Sequence, residues 1–374
     1  MHKHWDIFCK VVDNFGDIGV CWRLAKQLHH EHGLQVRLFV DNLAVAKQIL
    51  IGIDANLAIQ KCDGVTIVYW HDNTAYEDVA DIVIETFACG LPPTYLENMH
   101  LETIWINLDY LSAEPWISDF HAKNGKFDQT NLTRHFYFPG FNESTGGLLR
   151  EQDLITRRDH FQQSTHAQQA FLQSLGITNL TDDLKISLFS YANAPLEKLL
   201  DSLVQGGNQT TLFLPLNDCL PSNLSLIGGE SLAVGNCVKV GNLTVHVLPF
   251  LTQDDYDKLL WLCDVNFVRG EESWARALWA GKPFIWQPYL QTDNTHLIKL
   301  NAFLETFYTH HDINQTIVAL YQAWSVGEFS NEVWAAYLTD MPEIKAHTLQ
   351  QSNALIQQAA LVPKLAAFCA NLTI

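Results

Sequence analysis

No run of eighteen apolar residues occurs in these 374 residues, so no segment reads as a membrane-spanning helix. The start, Met-His-Lys-His-Trp-Asp, has none of a signal peptide's apolar core, so the chain is expected to be soluble, cytoplasmic and without a membrane partner. The eight cysteines include no Cys-x-x-Cys pair, and several sit inside apolar runs, which reads as buried, reduced thiols. Positive charge is scarce: 23 Lys and Arg against 41 Asp and Glu give a net charge of −18. That argues against nucleic acid, whose phosphates need a basic surface. It allows a basic partner segment, or a small anion held by a few local donors. The Gly-x-Gly-x-x-Gly fingerprint, the P-loop and Gly-x-Ser-x-Gly are all missing.

What is present begins in the first twenty-odd residues. WDIFCKVVDNFGDIGVCWRLAKQL is an apolar run that stops at a glycine-containing turn and restarts as a helix. Such turns normally receive a phosphate on free backbone N–H groups. Here the turn carries Asp13 and Asp17, which would repel a pyrophosphate. One aspartate at a helix start is an ordinary cap, worth about 0.3–1 kcal/mol. Two of them, with Asn14, Phe15 and Gly16 between, suit a cation or the removal of a proton from a nucleophile.

At this length the chain is too large for one core and fits two domains. Apolar runs of strand length at 5–12, 34–40, 65–70, 81–87 and 103–108 alternate with helical patterns at 18–31 and 44–50 and a helix opened by Pro92-Pro93. A polar stretch, REQDLITRRDHFQQ, then marks a boundary, and the alternation starts again with strands at 185–190, 210–214, 243–249, 265–268 and 283–287. Helical patterns fill the remainder. The expected fold is α/β: two doubly wound Rossmann-like domains facing a cleft, spanning 1–155 and 156–350, with a final helix over 351–374 that crosses back to the first.

The second constellation is VNFVRGEESWARALWAGKPFIWQP, where a strand ends at Arg269-Gly270 and a helix starts at Glu271-Glu272-Ser273. Arg269, the Ser273 hydroxyl and exposed N–H groups suit a diphosphate, and Glu271 suits sugar hydroxyls. Phe250 and Gln253 end a neighbouring strand, where a ring can stack on a nucleobase and an amide can read its edge. Tyr191 ends another. Asp255-Tyr-Asp257 has the form of a metal motif but falls in a helix's first turn, where acids cap. The histidine clusters at 29–32 and 310–311 read as surface.

Through these two motifs the chain resembles the bacterial elongation factor P arginine rhamnosyltransferases, the EarP family, along essentially its whole length. The resemblance implies a GT-B fold and transfer of L-rhamnose, with inversion, from dTDP-β-L-rhamnose to a loop arginine of elongation factor P, a folded acceptor. The modified factor helps ribosomes stalled at consecutive prolines. It implies no cofactor and no metal. By motif, Asp13, Asp17 and Glu271 correspond to the essential acids and Phe250 and Gln253 to the thymine-binding positions. Tyr191, Arg269, Glu272 and Ser273 correspond to residues around diphosphate and rhamnose. Asp17 is the expected base, with Asp13 gripping the guanidinium. The readings set against this one are a related transferase with another nucleotide-sugar or acceptor, a non-catalytic sugar-nucleotide sensor, and a dinucleotide-dependent oxidoreductase.

Overall fold

A computed structural model describes residues 4–13, 15–76, 78–127, 130–178, 183–216, 226–227, 230–308 and 314–372. The chain divides into two compact units, one of residues 1–152 with 356–374 and the other of 153–355.

In the first unit the order is β1 (His4–Cys9), α1 (Phe15–His32), β2 (Gln35–Val40), α2 (Leu43–Ile49), β3 (Ile59–Cys62), β4 (Val65–Tyr69), β5 (Ile82–Thr86), α3 (Pro93–Asn98), β6 (Ile104–Leu108), α4 (Ile117–Phe120), β7 (Asn124–Lys126) and β8 (Thr133–Tyr137). Its described residues form an eight-stranded sheet in the order β3-β4-β2-β1-β5-β6-β8-β7. The central strands β2, β1, β5 and β6 are parallel and mostly apolar, as strands covered on both faces must be. The edge strands β3 and β7 run antiparallel, so the sheet is mixed. The strand expected over 5–12 stops at Cys9, because the amides of Val11, Val12 and Asp13 are taken by carboxylates instead of a neighbouring strand. Asp6, a charge buried inside the sheet, is satisfied by two Arg37 nitrogens at 2.7 Å and by the Tyr95 hydroxyl at 2.5 Å.

The second unit runs α5 (Leu154–Gln163), α6 (Thr165–Ser174), β9 (Leu184–Leu188), α7 (Leu196–Gln205), β10 (Thr210–Pro215), β11 (Leu226–Ile227), β12 (Glu230–Ser231), β13 (Cys237–Val240), β14 (Leu243–Leu248), α8 (Gln253–Leu262), β15 (Val265–Arg269), α9 (Glu272–Ala280), β16 (Phe284–Gln287), α10 (Thr295–Tyr308), α11 (Asn314–Val326), α12 (Asn331–Thr339) and α13 (Met341–Ile356). Its sheet has the order β13-β14-β10-β9-β15-β16, with only the edge strand β13 antiparallel. Helix α9 ends at Gly281, whose φ of 63° gives the left-handed cap that residues with a Cβ adopt reluctantly.

A last helix, α14 (Leu361–Asn371), belongs to the first unit. Its Leu361, Val362, Leu365 and Cys369 join the core formed by β1, β2, β5 and α1. Cys9, Cys21, Cys263 and Cys369 are buried and in no disulfide, but Cys62 and Cys89 are half-buried and Cys237 is exposed, a correction to the uniformly buried set expected. Cys219 lies outside the described residues. No described helix is long and apolar enough to cross a membrane.

Both sheets reverse their strand order once at the centre, between β1 and β5 in the first unit and between β9 and β15 in the second. Crevices at the carboxyl ends of such strands are where open α/β sheets bind ligands, because connections leave in opposite directions there.

Candidate active site

The turn after β1 is built around Asp17. Its Oδ2 accepts the N–H groups of Val12 and Asp13, each at 2.8 Å. Asp41, at the end of β2, accepts the Val11 N–H at 2.9 Å. The turn closes with Gly16 N–H donating to the Asp13 carbonyl at 2.7 Å, and α1 starts at once with half-buried Phe15. Asp17 is 3% exposed and Asp13 half-buried. Burial pushes the Asp17 carboxyl above its ordinary value, and the charges of Asp13 and Asp41 push the same way. The two backbone N–H bonds pull downward without cancelling the rise. The arrangement is a concentration of negative charge with one carboxyl more basic than usual. Asn14 lies outside the described residues.

Gly16 has a specific reason to be glycine. A Cβ there would stand 2.8 Å from the Asp13 Oδ2, so the Asp13 carboxylate lies against the glycine. Gly16→Ala is therefore expected to displace that carboxylate while leaving the fold intact, since the neighbour that must move is the end of a side chain. Turnover should fall and the melting temperature should hold; an alanine variant with full turnover would mean that the position of Asp13 does not matter.

In the second unit, Arg269 is buried at the end of β15. Its guanidinium is sandwiched between two rings, with its centre 4.4 Å from the Phe189 centroid and 4.6 Å from that of Tyr191, and one nitrogen donates to the Ser190 carbonyl at 3.2 Å. Planar, weakly hydrated guanidinium suits such stacking. Tyr191 is held in turn by its N–H to the Gln287 amide oxygen at 3.2 Å. Ser273 is turned inward: its hydroxyl accepts the Arg269 N–H at 3.1 Å and donates to the Arg269 carbonyl, so it pins the strand-to-helix turn. Glu271 is the N-cap of α9, and its carboxylate takes Lys299 of α10 at 2.5 Å. The Gln253 amide donates to Glu272 at 3.3 Å, joining the start of α8 to the start of α9, and Phe250 is half-buried just before α8.

The sequence-predicted residues thus gather into two sets, Asp13 and Asp17 at one switch point, and Tyr191, Arg269, Glu271, Glu272, Ser273 and Gln253 around the other. Three participants were not foreseen. Phe189 stands in the same strand-end segment as Tyr191 but reads from sequence as core. Asp41 follows β2, thirty residues from the Val11 amide it bonds, and only the parallel register of β1 with β2 brings it there. Lys299 is 28 residues from Glu271 and carries no local signal.

Asp255 and Asp257 are both engaged. Asp255 bonds Thr252 and Lys258 at the start of α8, and Asp257 is gripped by Arg276 at 2.8 and 2.6 Å. Among the described residues no group of three or more His, Cys, Asp or Glu could hold a metal ion. His310 and His311 lie outside those residues.

Residues 5–370 match the family described as elongation factor P (EF-P) rhamnosyltransferase EarP. The protein-arginine rhamnosyltransferase of Pseudomonas putida is 42% identical over 376 residues, covering 99% of this chain and 100% of that protein. A solved structure described as the structural basis for EarP-mediated arginine glycosylation of translation elongation factor EF-P is 35% identical, covers 98% of this chain and 99% of its own, and superposes with a TM-score of 0.71. At 10% identity, the glycosyltransferase VinC in complex with dTDP covers 99% of both chains with a TM-score of 0.54, a likeness of fold alone. The fold class is GT-B, built of two Rossmann-like units.

Proposed function

The chain belongs to the EarP family of elongation factor P rhamnosyltransferases, and we propose that it transfers L-rhamnose from dTDP-β-L-rhamnose to a loop arginine of elongation factor P, with inversion and without metal. The observation that carries this reading is the acid pair at the first unit's switch point, where a dinucleotide or phosphate would be repelled and a guanidinium attracted. A guanidinium is charged at neutral pH and has no free lone pair, so it must be gripped and relieved of a proton as it attacks.

Asp13 and Asp17 divide that work. Asp13 orients and polarises the guanidinium. Asp17, its basicity raised by burial, takes the proton as the arginine nitrogen forms its bond to the anomeric carbon. The bond from that carbon to the diphosphate oxygen breaks on the opposite face, which inverts the centre. The second unit holds the donor: Phe250 and Gln253 for the thymine, Tyr191, Glu272 and Ser273 around the diphosphate and sugar, and Glu271 on the sugar hydroxyls. Arg269 and the N–H groups opening α9 stabilise the departing negative charge. Lys299 holds the Glu271 carboxylate in place. The two sites therefore carry separable functions, acceptor activation and donor retention.

Two experiments test the assignment. Intact-protein mass after incubation with elongation factor P and a panel of dTDP- and UDP-sugars should show one deoxyhexose added from dTDP-rhamnose; a different sugar accepted in preference would reassign the donor. Calorimetry with dTDP in excess EDTA should show binding that is lost when Phe250→Ala and Arg269→Ala are combined. Undiminished binding by that double variant would sink the donor site.

A further inference from the structure

Beside the acid pair, the turn after β5 holds two consecutive non-glycine residues in the left-handed region, Phe87 at φ 57° and Ala88 at φ 50°. Side chains resist this conformation, and it persists only where surroundings over-determine it, commonly at functional sites. Here four successive amides are tied down. Phe87 N–H donates to the Leu108 carbonyl at 2.8 Å and Ala88 N–H to the Asn107 side-chain oxygen at 3.0 Å. Cys89 N–H meets the Thr86 carbonyl at 3.1 Å and Gly90 N–H the Glu85 carboxylate at 3.0 Å. The product of this fixation is one half-buried ring: Phe87 is stacked on Tyr110, with centroids 4.4 Å apart and planes 12° from parallel.

Its address follows from the packing. The Cys21 thiol on α1 donates to the Thr86 hydroxyl at 3.4 Å, so the helix crosses the end of β5 at that level. Asp17 is one turn earlier on the same face of α1, since residues four apart share a face. The helix runs back against its preceding strand, so one turn earlier lies beyond Thr86, at the level of Phe87. Phe87 also packs against the core cluster that contains Ile18 and Cys21, on the α1 side of the sheet. β1 and β5 flank the strand reversal, so the acid pair and the stacked rings border the same crevice.

From this we infer that Phe87, backed by Tyr110, is the plate on which the acceptor guanidinium lies flat while Asp13 and Asp17 hold its edge, an acceptor-positioning role that rests on the function proposed above. A carboxylate pair attracts any cation, lysine included. A flat aromatic face beside it favours the planar, delocalised one and fixes which nitrogen points at the sugar.

The test compares Phe87→Leu, Phe87→Tyr and Phe87→Gly by the acceptor KM, the donor affinity and binding to elongation factor P with its target arginine intact or replaced by alanine. Phe87→Leu should raise the acceptor KM by about 3- to 30-fold, the range of a desolvated cation–ring contact. Donor affinity should be unchanged and Phe87→Tyr near normal. Phe87→Gly, which accepts the left-handed backbone, should remain folded with the same acceptor defect. The loss of affinity on removing the target arginine should shrink in the leucine and glycine variants. If both kept the unsubstituted protein's acceptor KM and its full dependence on that arginine, the plate would be disproved. No transfer to elongation factor P by the unsubstituted protein would overturn the proposed function and this inference together; transfer with an indifferent Phe87 overturns the inference alone.

Discussion

Replacing Asp17 with asparagine is expected to reduce rhamnose transfer by about 10²–10⁴-fold, the loss that accompanies removal of a positioned base, while dTDP-rhamnose binds almost as before. The amide keeps the size of the carboxylate and an oxygen that accepts the Val12 and Asp13 N–H groups, so the turn is retained. Stability should not suffer. A buried carboxyl whose value is raised on folding contributes stability that is complete below its unfolded value and is lost as pH rises through the folded one. The ionised form of Asp17 is therefore a cost that the amide removes. The same rise places the acid limb of kcat/KM above the ordinary carboxylate range, and that limb should vanish from the residual activity of the variant. Glu271→Ala provides the contrast: it removes the partner of Lys299 at the proposed donor site and should weaken dTDP-rhamnose binding as well as slow single turnover. Equal donor defects in the two variants, or near-normal turnover by Asp17→Asn, would end the assignment of acceptor chemistry to the first unit and donor retention to the second.

The largest effect on stability is expected from Arg276→Met. Arg276 and Asp257 are 2% and 1% exposed and meet through two charge-assisted hydrogen bonds linking α9 to α8. Removing the guanidinium takes the opposite charge away from a buried carboxylate, which typically costs about 3–5 kcal/mol. Converting both partners to apolar residues, Arg276→Met with Asp257→Leu, should recover most of that, because the desolvation penalty goes with the charges. Urea unfolding, with hydrogen exchange of α8 and α9 used to assign the second unit's transition, reads the difference. A single variant as stable as the double would show that the pair is not an isolated buried charge couple.

The parts of the fold legible in sequence are those whose chemistry is local. β1, β2, β5 and β6 are apolar runs because both faces are covered, and α9 carries its own start and its glycine stop. Elements whose sequence is largely polar escaped. β8 contains Arg134, which lies over the rings of Trp105, Phe127 and Phe136 and reaches Glu85, so its polarity hides a strand. α5 reads as a polar boundary, yet Arg158 is buried with a nitrogen on the Trp279 carbonyl and Gln162 bonds the carbonyl of Ala280. The site divides the same way. Asp13, Asp17, Arg269 and Glu271 stand at strand-to-helix turns where a charge is conspicuous. Asp41 and Phe87 enter through the pairing of strands apart in sequence, Lys299 through the reach of a side chain on α10, and the inward turn of Ser273 depends on the closure of one particular loop.

The membership of α14 in the first unit bears on how the protein is made. Leu361, Val362, Leu365 and Cys369 complete a core whose other walls are β1, β2, β5 and α1, yet the ribosome delivers them only after every residue of the second unit. The first unit emerges first and is finished last. Throughout synthesis of residues 153–355 part of its core waits for α14, and the second unit has its whole sequence before the first does. An enzyme whose proposed product eases translation would itself spend the long middle of its own translation half-built, and a chain broken off before residue 356 would carry the acid pair on a unit lacking its final wall.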